Sequence, residues 1–487
     1  MTAVRTEIRF ILNDREERLT EVRSSDTLLD HLRLARRLRG TKEGCAEGDC
    51  GACTVLVGRR TASGLTYEPV NACIRLLASV DLCHVVTVEH VARDGSLHPV
   101  QQALVDLHGS QCGFCTPGFV MSLYALWMRN PKAGETEIEE ALQGNLCRCT
   151  GYAPIVAAAK AAGDASPAGD PLLAERARIR AALDAFDDRA RVDIATGDDR
   201  LLIPASAADL AALLGELPGK PTIVAGMTDV GLWITKFMRS ISPAIFINNL
   251  ADLQTTIVTP QSVTIGAGVT YDDFQKTLDA EFPHLSAYWR RIGGWQVRAM
   301  GTVGGNVANG SPIGDTPPAL IALGATVTLR SKAGRRTLPL EDYFIAYGRQ
   351  DRQPGEFLES LTIPRPAPGT LNAAYKITKR RDEDISAVAA GFHVALDNGI
   401  VETARLAYGG MAATPKRAAS AEAALVGQPL TLETIVRAEA AIADDFAPLT
   451  DWRATAGYRA RVARNLLRRF YLESTGELAQ LKREVAV

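Results

Sequence analysis

Residues 43–53 read Glu43-Gly44-Cys45-Ala46-Glu47-Gly48-Asp49-Cys50-Gly51-Ala52-Cys53, and Cys73 follows after nineteen further residues. Three thiols on one glycine-rich loop, spaced x4 and x2, with a distant fourth, have the spacing of a plant-type 2Fe–2S site. The competing reading is a four-cysteine zinc site. Zinc usually takes paired short spacings, which this stretch lacks. Gly44, Gly48 and Gly51 permit positive φ, so that backbone N–H groups can turn toward sulfur and stabilise a negative cluster.

The flanking sequence predicts a small α+β unit. Residues 5–12 partly alternate and read as a strand, Asn13-Asp14 as a turn, and 18–22 as a returning strand. Residues 25–39 read as a helix capped by Asp26 and stopped by Gly40, and 54–57 as another strand. The unit ends near residue 92.

A second group of cysteines follows, Cys112-Gly113-Phe114-Cys115 and Cys147-Arg148-Cys149. Two such pairs permit zinc, a redox dithiol or another 2Fe–2S cluster, and the tight Cys-x-Cys chelate beside a first cluster favours the last. Helices are expected over 99–108, closed by Gly109, over 117–128, from a capping box at Thr136–Glu139, and over 154–162 before Gly163. Cys83 is left over and reads as a buried structural thiol. The seven histidines lack metal-ligand spacing and read as surface or capping residues.

The nine cysteines all lie between 45 and 149. That clustering, with no signal-peptide apolar region from Met1 to Asp14, favours metal or redox use over a disulfide framework. The chain has 487 residues, 46% hydrophobic, with net charge −2, enough for about three domains. The balanced charge gives no reason to expect nucleic-acid binding, and no apolar run is long enough to span a membrane. A soluble, cytoplasmic protein is expected.

Beyond a Gly163–Gly169 linker and a charged, part-helical connector reaching Asp199, short apolar runs at 222–225, 244–247, 262–265 and 325–329 alternate with helical stretches. Strands at 387–396 and 402–407 precede helices at 430–446 and 454–472. There is no strand-linked GxGxxG. Two other glycine loops stand out, Ile223-Val224-Ala225-Gly226-Met227-Thr228-Asp229-Val230 and Gly301-Thr302-Val303-Gly304-Gly305-Asn306. Glycine lets the main chain approach a phosphate and threonine adds a hydroxyl; tight turns would read the same way.

The combination of Glu-Gly-Cys-x2-Gly-Asp-Cys-Gly-Ala-Cys, Gln-Cys-Gly-Phe-Cys-Thr-Pro-Gly and Gly-Asn-Leu-Cys-Arg-Cys-Thr-Gly-Tyr resembles the molybdenum hydroxylase family. The resemblance implies a multidomain α+β chain. A β-grasp 2Fe–2S ferredoxin domain (1–92) would precede a four-helix 2Fe–2S domain (93–163) and a linker (164–199). An FAD domain of the vanillyl-alcohol-oxidase type (200–370) and a C-terminal α+β flavoprotein domain (371–487) would follow. It implies Cys45, Cys50, Cys53 and Cys73 as ligands of one cluster, and Cys112, Cys115, Cys147 and Cys149 of the other. Gln111 would lie near the pterin of a partner's molybdenum cofactor. Ile223, Val224, Ala225, Gly226, Met227, Thr228, Asp229 and Val230 would line the FAD pyrophosphate, with further FAD contacts at Ile292, Thr302, Asp315, Leu358 and Lys376.

Two positions depart from the family pattern. Met227 stands where a second glycine is common, so its side chain must point away from the phosphates. Ile292 stands where an aromatic covers the flavin in relatives.

The resemblance implies hydroxylation of a purine carbon, with oxygen drawn from water, on a separate large molybdopterin-binding subunit. Electrons would pass through the two clusters to FAD and on to NAD as acceptor. No residue of this chain is expected to act as a catalytic acid or base. A heterotetramer of two small and two large chains is expected. The alternatives are the equivalent subunit of a hydroxylase acting on an aldehyde or another N-heterocycle, and a zinc-stabilised interaction protein without catalysis. The charged run Arg380–Asp384 beside Lys376 is a solvated loop or a source of field at the flavin.

Overall fold

The structure is a computed structural model and describes residues 3–62 and 64–478. Met1, Thr2 and 479–487, which belong to the expected first and last domains, lie outside the described residues. The described residues form two units, one within 3–252, 270–272 and 293–302, the other within 253–269, 273–292 and 303–478.

In the first unit a five-stranded sheet runs in the order Arg15–Leu19, Ile8–Leu12, His84–Val86, Thr54–Thr61, Gly64–Asn71. Side chains alternate across a strand, and here both faces are covered. Ile8, Phe10, Leu12, Val55, Val57 and Val85 enter one hydrophobic cluster, whereas Ile11, Leu56 and Val86 enter another. The returning strand begins at Arg15 rather than 18, since Asn13 takes a positive φ of 57° and closes the turn at once. The Thr54 strand runs to Thr61 instead of Val57, because Arg59 pairs with Glu68 of the hairpin partner at 2.7 Å.

The helix expected over 25–39 is shorter, Leu28–Asp30 continuing as a π-turn His31–Ala35. Its cap is Thr27, whose hydroxyl accepts from the Asp30 amide, while the Asp26 carboxylate closes the preceding turn by accepting from the Arg23 amide.

Four helices follow, Pro99–Asp106, Thr116–Arg129, Glu135–Ala141 and Ala153–Ala162. The expected capping box at Thr136–Glu139 is absent: Gly134 occupies the cap and Thr136 lies within the first turn. A capping box forms instead at His98 with Gln101. Residues 164–199 are not a bare linker. Asp170 caps a helix Pro171–Phe186 whose Leu172, Ile179, Leu183 and Phe186 recur on one face and bury in the helical core. Strand Arg191–Thr196 then joins a second sheet, in the order Val4–Arg5, Arg191–Thr196, Asp199–Ile203, Ala244–Phe246, Thr222–Val224.

The histidines depart partly from expectation. His98 is a cap, but His31 and His84 are core residues. Cys83 is buried as expected, and burial pushes its thiol up to about 11.

The second unit holds a sheet in the order Thr256–Val258, Ser262–Gly266, Phe357–Pro364, Thr326–Ser331, Gly334–Pro339. Its C-terminal part is a sheet of Leu371–Ile377, Val388–Asp397, Ile400–Gly409 and Lys416–Arg417, with helices Leu432–Asp445 and Ala456–Ser474. Phe392, Tyr408, Phe446 and Phe470 meet edge to face between these elements. Among the described residues no helix is long and apolar enough to cross a membrane.

Candidate iron–sulfur and flavin sites

The fold brings the first four thiols together. Cys45 lies within hydrogen-bonding reach of the Cys50 and Cys73 thiols, and Cys73 in turn of Cys53. Donation from Cys50 and then Cys73 drives the Cys45 sulfur far below the ordinary thiol range. The Cys50 amide also points at the Cys45 sulfur, at 3.4 Å. The loop achieves this with positive φ at Ala46, Gly48 and Gly51. Cys45 and Cys50 are half-buried, while Cys53 and Cys73 are only 1% and 3% exposed, so this set faces inward.

The second four thiols form two pairs, Cys115 with Cys147 and Cys112 with Cys149. Burial, then the Cys147 contact, pushes the Cys115 thiol up to about 12. Burial would raise Cys147 too, but the Thr150 hydroxyl at 3.1 Å and amide at 3.5 Å hold it below its ordinary value. Cys112 and Cys149 are exposed, as are Gln111 and Phe114 beside them.

Among the described residues no three His, Cys, Asp or Glu side chains converge for a single ion. The second set approaches as two pairs, and the first as a chain of four thiols running Cys50, Cys45, Cys73, Cys53. A tetrahedral zinc site needs four donors on one point, whereas two irons bridged by sulfide need two donors each. The donor set therefore fits binuclear clusters.

The two cysteine sets are tied by backbone. The Leu146 amide, next to Cys147, donates to the Cys50 carbonyl at 3.0 Å. A β-carbon on Gly118 would stand 2.1 Å from the Gly51 carbonyl, and one on Gly51 at 2.1 Å from the Gly144 carbonyl. The helix after Cys115 and the loop before Cys147 are thus pressed onto the first cysteine loop.

The loop Ile223–Val230 joins strand Thr222–Val224 to helix Val230–Thr235. Gly226 abuts the second glycine loop: a β-carbon there would be 2.5 Å from the Met300 carbonyl and 3.0 Å from the Thr302 amide. Met227 holds φ +63° and is buried in the core with Val224, Phe246 and Met300, so its side chain does point away from the loop's open side. A left-handed turn of this kind gathers successive N–H groups into an anion-binding concavity. Ala225 and Thr228 are half-buried, Asp229 is exposed, and Thr302 is buried. Gly226 and the small side chains of Ala225 and Thr228 around a concave turn fit a pyrophosphate.

The helix leaving this loop touches the first cysteine set. A β-carbon on Gly231 would lie 2.7 Å from Ile74, the residue after Cys73. Lys236 donates to the Cys45 carbonyl at 2.5 Å and pairs with Glu47 at 3.3 Å. Sequence reasoning missed Lys236, an unremarkable lysine whose partners lie far back in the chain.

The second unit contains the remaining expected flavin residues. Lys376 donates to Asp315 at 2.5 Å and to Ser386 at 3.1 Å, and Ser386 donates to the other Asp315 oxygen at 2.5 Å. Tyr288 donates to the Asp315 carbonyl at 2.6 Å. A buried ion pair contributes little net stability, so one this well bonded points to a positioning role. Ser386 and Tyr288 were not singled out from sequence. Leu358 lies on strand Phe357–Pro364 opposite Leu329, and both it and Ile292 are buried. In the charged run, the Asp384 carboxylate accepts from the Lys379 and Arg380 amides at 2.9 and 2.8 Å and so closes its own loop.

Comparison with known proteins matches four domain families. They are a 2Fe-2S iron-sulfur cluster binding domain at residues 11–77 and a 2Fe-2S binding domain at 87–160. The FAD binding domain in molybdopterin dehydrogenase matches 196–366, and the CO dehydrogenase flavoprotein C-terminal domain 373–474. A xanthine dehydrogenase of Emericella nidulans is 32% identical over 88% of this chain and 36% of its own length. Aldehyde oxidase 4 of Cavia porcellus is 30% identical over 98% of this chain and 40% of its own. The chain thus spans well under half the length of these curated relatives. A solved chain of reconstituted CO dehydrogenase from Oligotropha carboxidovorans is 31% identical with a TM-score of 0.51, covering 55% of this chain and 94% of that one. With two iron–sulfur binding domains and an FAD-binding domain in succession, the chain belongs to the molybdenum hydroxylase family of oxidoreductases.

Proposed function

We propose that this chain is the iron–sulfur and FAD subunit of a xanthine dehydrogenase. It takes electrons from a molybdopterin-binding partner during hydroxylation of hypoxanthine or xanthine and delivers them to NAD. The observation that carries the reading is the graded exposure of the two cysteine sets, Cys112 and Cys149 at the surface and Cys53 and Cys73 in the core. The exposed set admits an external donor. The Leu146–Cys50 hydrogen bond leads inward from it, and Lys236 links the inner set to the flavin-loop helix.

In this proposal Cys45, Cys50, Cys53 and Cys73 hold one cluster, and Cys112, Cys115, Cys147 and Cys149 the other. When bound, the clusters and FAD supply one-electron relay and its conversion to hydride transfer. The protein's part is to hold and insulate them. Residues Ile223–Val230 and Thr302 offer amides and hydroxyls to the pyrophosphate. Ser386 and Tyr288 fix Asp315 and Lys376 as a preset polar pair, while Ile292 and Leu358 add apolar contact. Gln111, exposed beside Cys112, is available to a partner's pterin. Two such chains would join two large chains. The match of one CO dehydrogenase chain to only 55% of this one supports a division of domains among subunits.

The xanthine reading competes with an aldehyde-oxidising one, favoured by the similarity to aldehyde oxidase 4. Purifying the chain with its partner and following NADH formation separates them. Xanthine is expected to drive NADH formation, with about four irons and four sulfides per small chain. Turnover with aldehydes and none with xanthine would overturn the assignment.

A further inference from the structure

Gln296 sits on the short helix Trp295–Met300, which leads directly into Gly301 and Thr302. It is fully buried. Its side-chain NH2, with two hydrogens to give, lies within hydrogen-bonding distance of three acceptors: Thr54 Oγ1 at 3.1 Å, Ser122 Oγ at 3.1 Å and Asn145 Oδ1 at 2.9 Å. Thr54 follows the first cysteine loop, Ser122 is on the helix after Cys115, and Asn145 lies two residues before Cys147.

The two hydroxyls among these acceptors have already committed their hydrogens. The Thr54 hydroxyl donates to the Gly51 carbonyl at 2.7 Å, and the Ser122 hydroxyl donates to Asn145 at 2.7 Å. The Asn145 amide donates to the Gly51 carbonyl at 3.4 Å. Lone pairs remain at Thr54 and Ser122, Asn145 Oδ1 has a second to offer, and the two hydrogens of the Gln296 amide are shared among the three. Buried acceptors left without a donor are costly, so the node holds its members to one arrangement. On the same helix, Arg298 donates to Gln143 at 3.0 Å, adding a second tie to the loop that precedes Cys147. Gly144 makes room: a β-carbon there would be 2.1 Å from Gln296 Oε1.

We propose that Gln296 is a positioning residue that fixes the separation of the two iron–sulfur clusters, joining both cysteine loops and the start of the second flavin loop through one amide. This rests on the reading that the two cysteine sets hold clusters. It assigns Gln296 no contact with substrate or cofactor. Its effect is to keep the two centres at one distance, on which magnetic coupling and electron exchange between them depend steeply.

The test uses the full chain reduced anaerobically, with low-temperature electron paramagnetic resonance of the two reduced clusters. Gln296→Met keeps the volume and removes the donor. Gly144→Ala keeps the glutamine and displaces its amide. Both are expected to retain wild-type iron and sulfide, to lose the single wild-type coupling in favour of an altered or broadened one, and to slow electron exchange between clusters. Wild-type coupling in both variants would overturn the proposal. If either fails to fold, Ser122→Ala removes one acceptor and is expected to shift the coupling in the same direction by less; no shift there overturns the proposal equally. Absence of iron and sulfide from the unaltered protein would instead sink the underlying cluster reading, so the two failures are distinguishable.

Discussion

Met227 occupies backbone that glycine adopts at lowest cost, with φ +63°, yet its side chain is buried in the core. The left-handed conformation costs a non-glycine residue about 1–2 kcal/mol. Truncating a buried methionine typically costs about 2–5 kcal/mol. Packing therefore outweighs strain. Met227→Gly is expected to lower the thermal unfolding midpoint by an amount equivalent to about 1–3 kcal/mol. At this scale the cysteines were legible because chelate spacing is a local property of the chain. Gln296 was not, since its partners lie 151 to 242 residues away and nothing next to it in sequence hints at them.

Among the elements, the strand His84–Val86 buries a histidine that had read as a surface residue. Its Nε2–H donates to the Asn13 carbonyl and its Nδ1 accepts from the Tyr67 hydroxyl, both at 2.7 Å. That pattern fixes a neutral ring, and burial lowers its pKa to about 4. The unfolded chain binds this proton below about pH 6.5 and the folded chain does not. The contribution is thus present above pH 6.5 and is lost as pH falls toward 4, by roughly 3 kcal/mol in all. Denaturant unfolding of His84→Gln across that window is expected to show a shallower loss than the unaltered protein; His284, also lowered to about 4 by burial, retains its own share. Helices and strands with strong periodicity were legible within a few residues. Misreadings came where a side chain chose between two local hydrogen bonds, as at Asp26 and Thr27. In the part-helical connector, charged residues hid the buried face of Pro171–Phe186.

For the molecule as a whole, the contrast between an inward and an outward cysteine set predicts unequal lability. On the proposed ligand assignment, incubation with a strong iron chelator is expected to remove the signal of a cluster held by Cys112, Cys115, Cys147 and Cys149 well before that of one held by Cys45, Cys50, Cys53 and Cys73. Paramagnetic resonance over time checks this, and simultaneous loss would contradict it. Binding of the partner over the exposed set is expected to reduce the difference.

The near-complete enclosure of Cys53 and Cys73 has a consequence for biogenesis. Gly51 is pressed between the Gly144 and Gly118 backbones, and only Cys45 and Cys50 of this set are half-exposed. If these thiols hold a cluster as proposed, iron and sulfide offered to a nascent or partly opened chain are expected to be incorporated faster than when offered to a chain already folded empty.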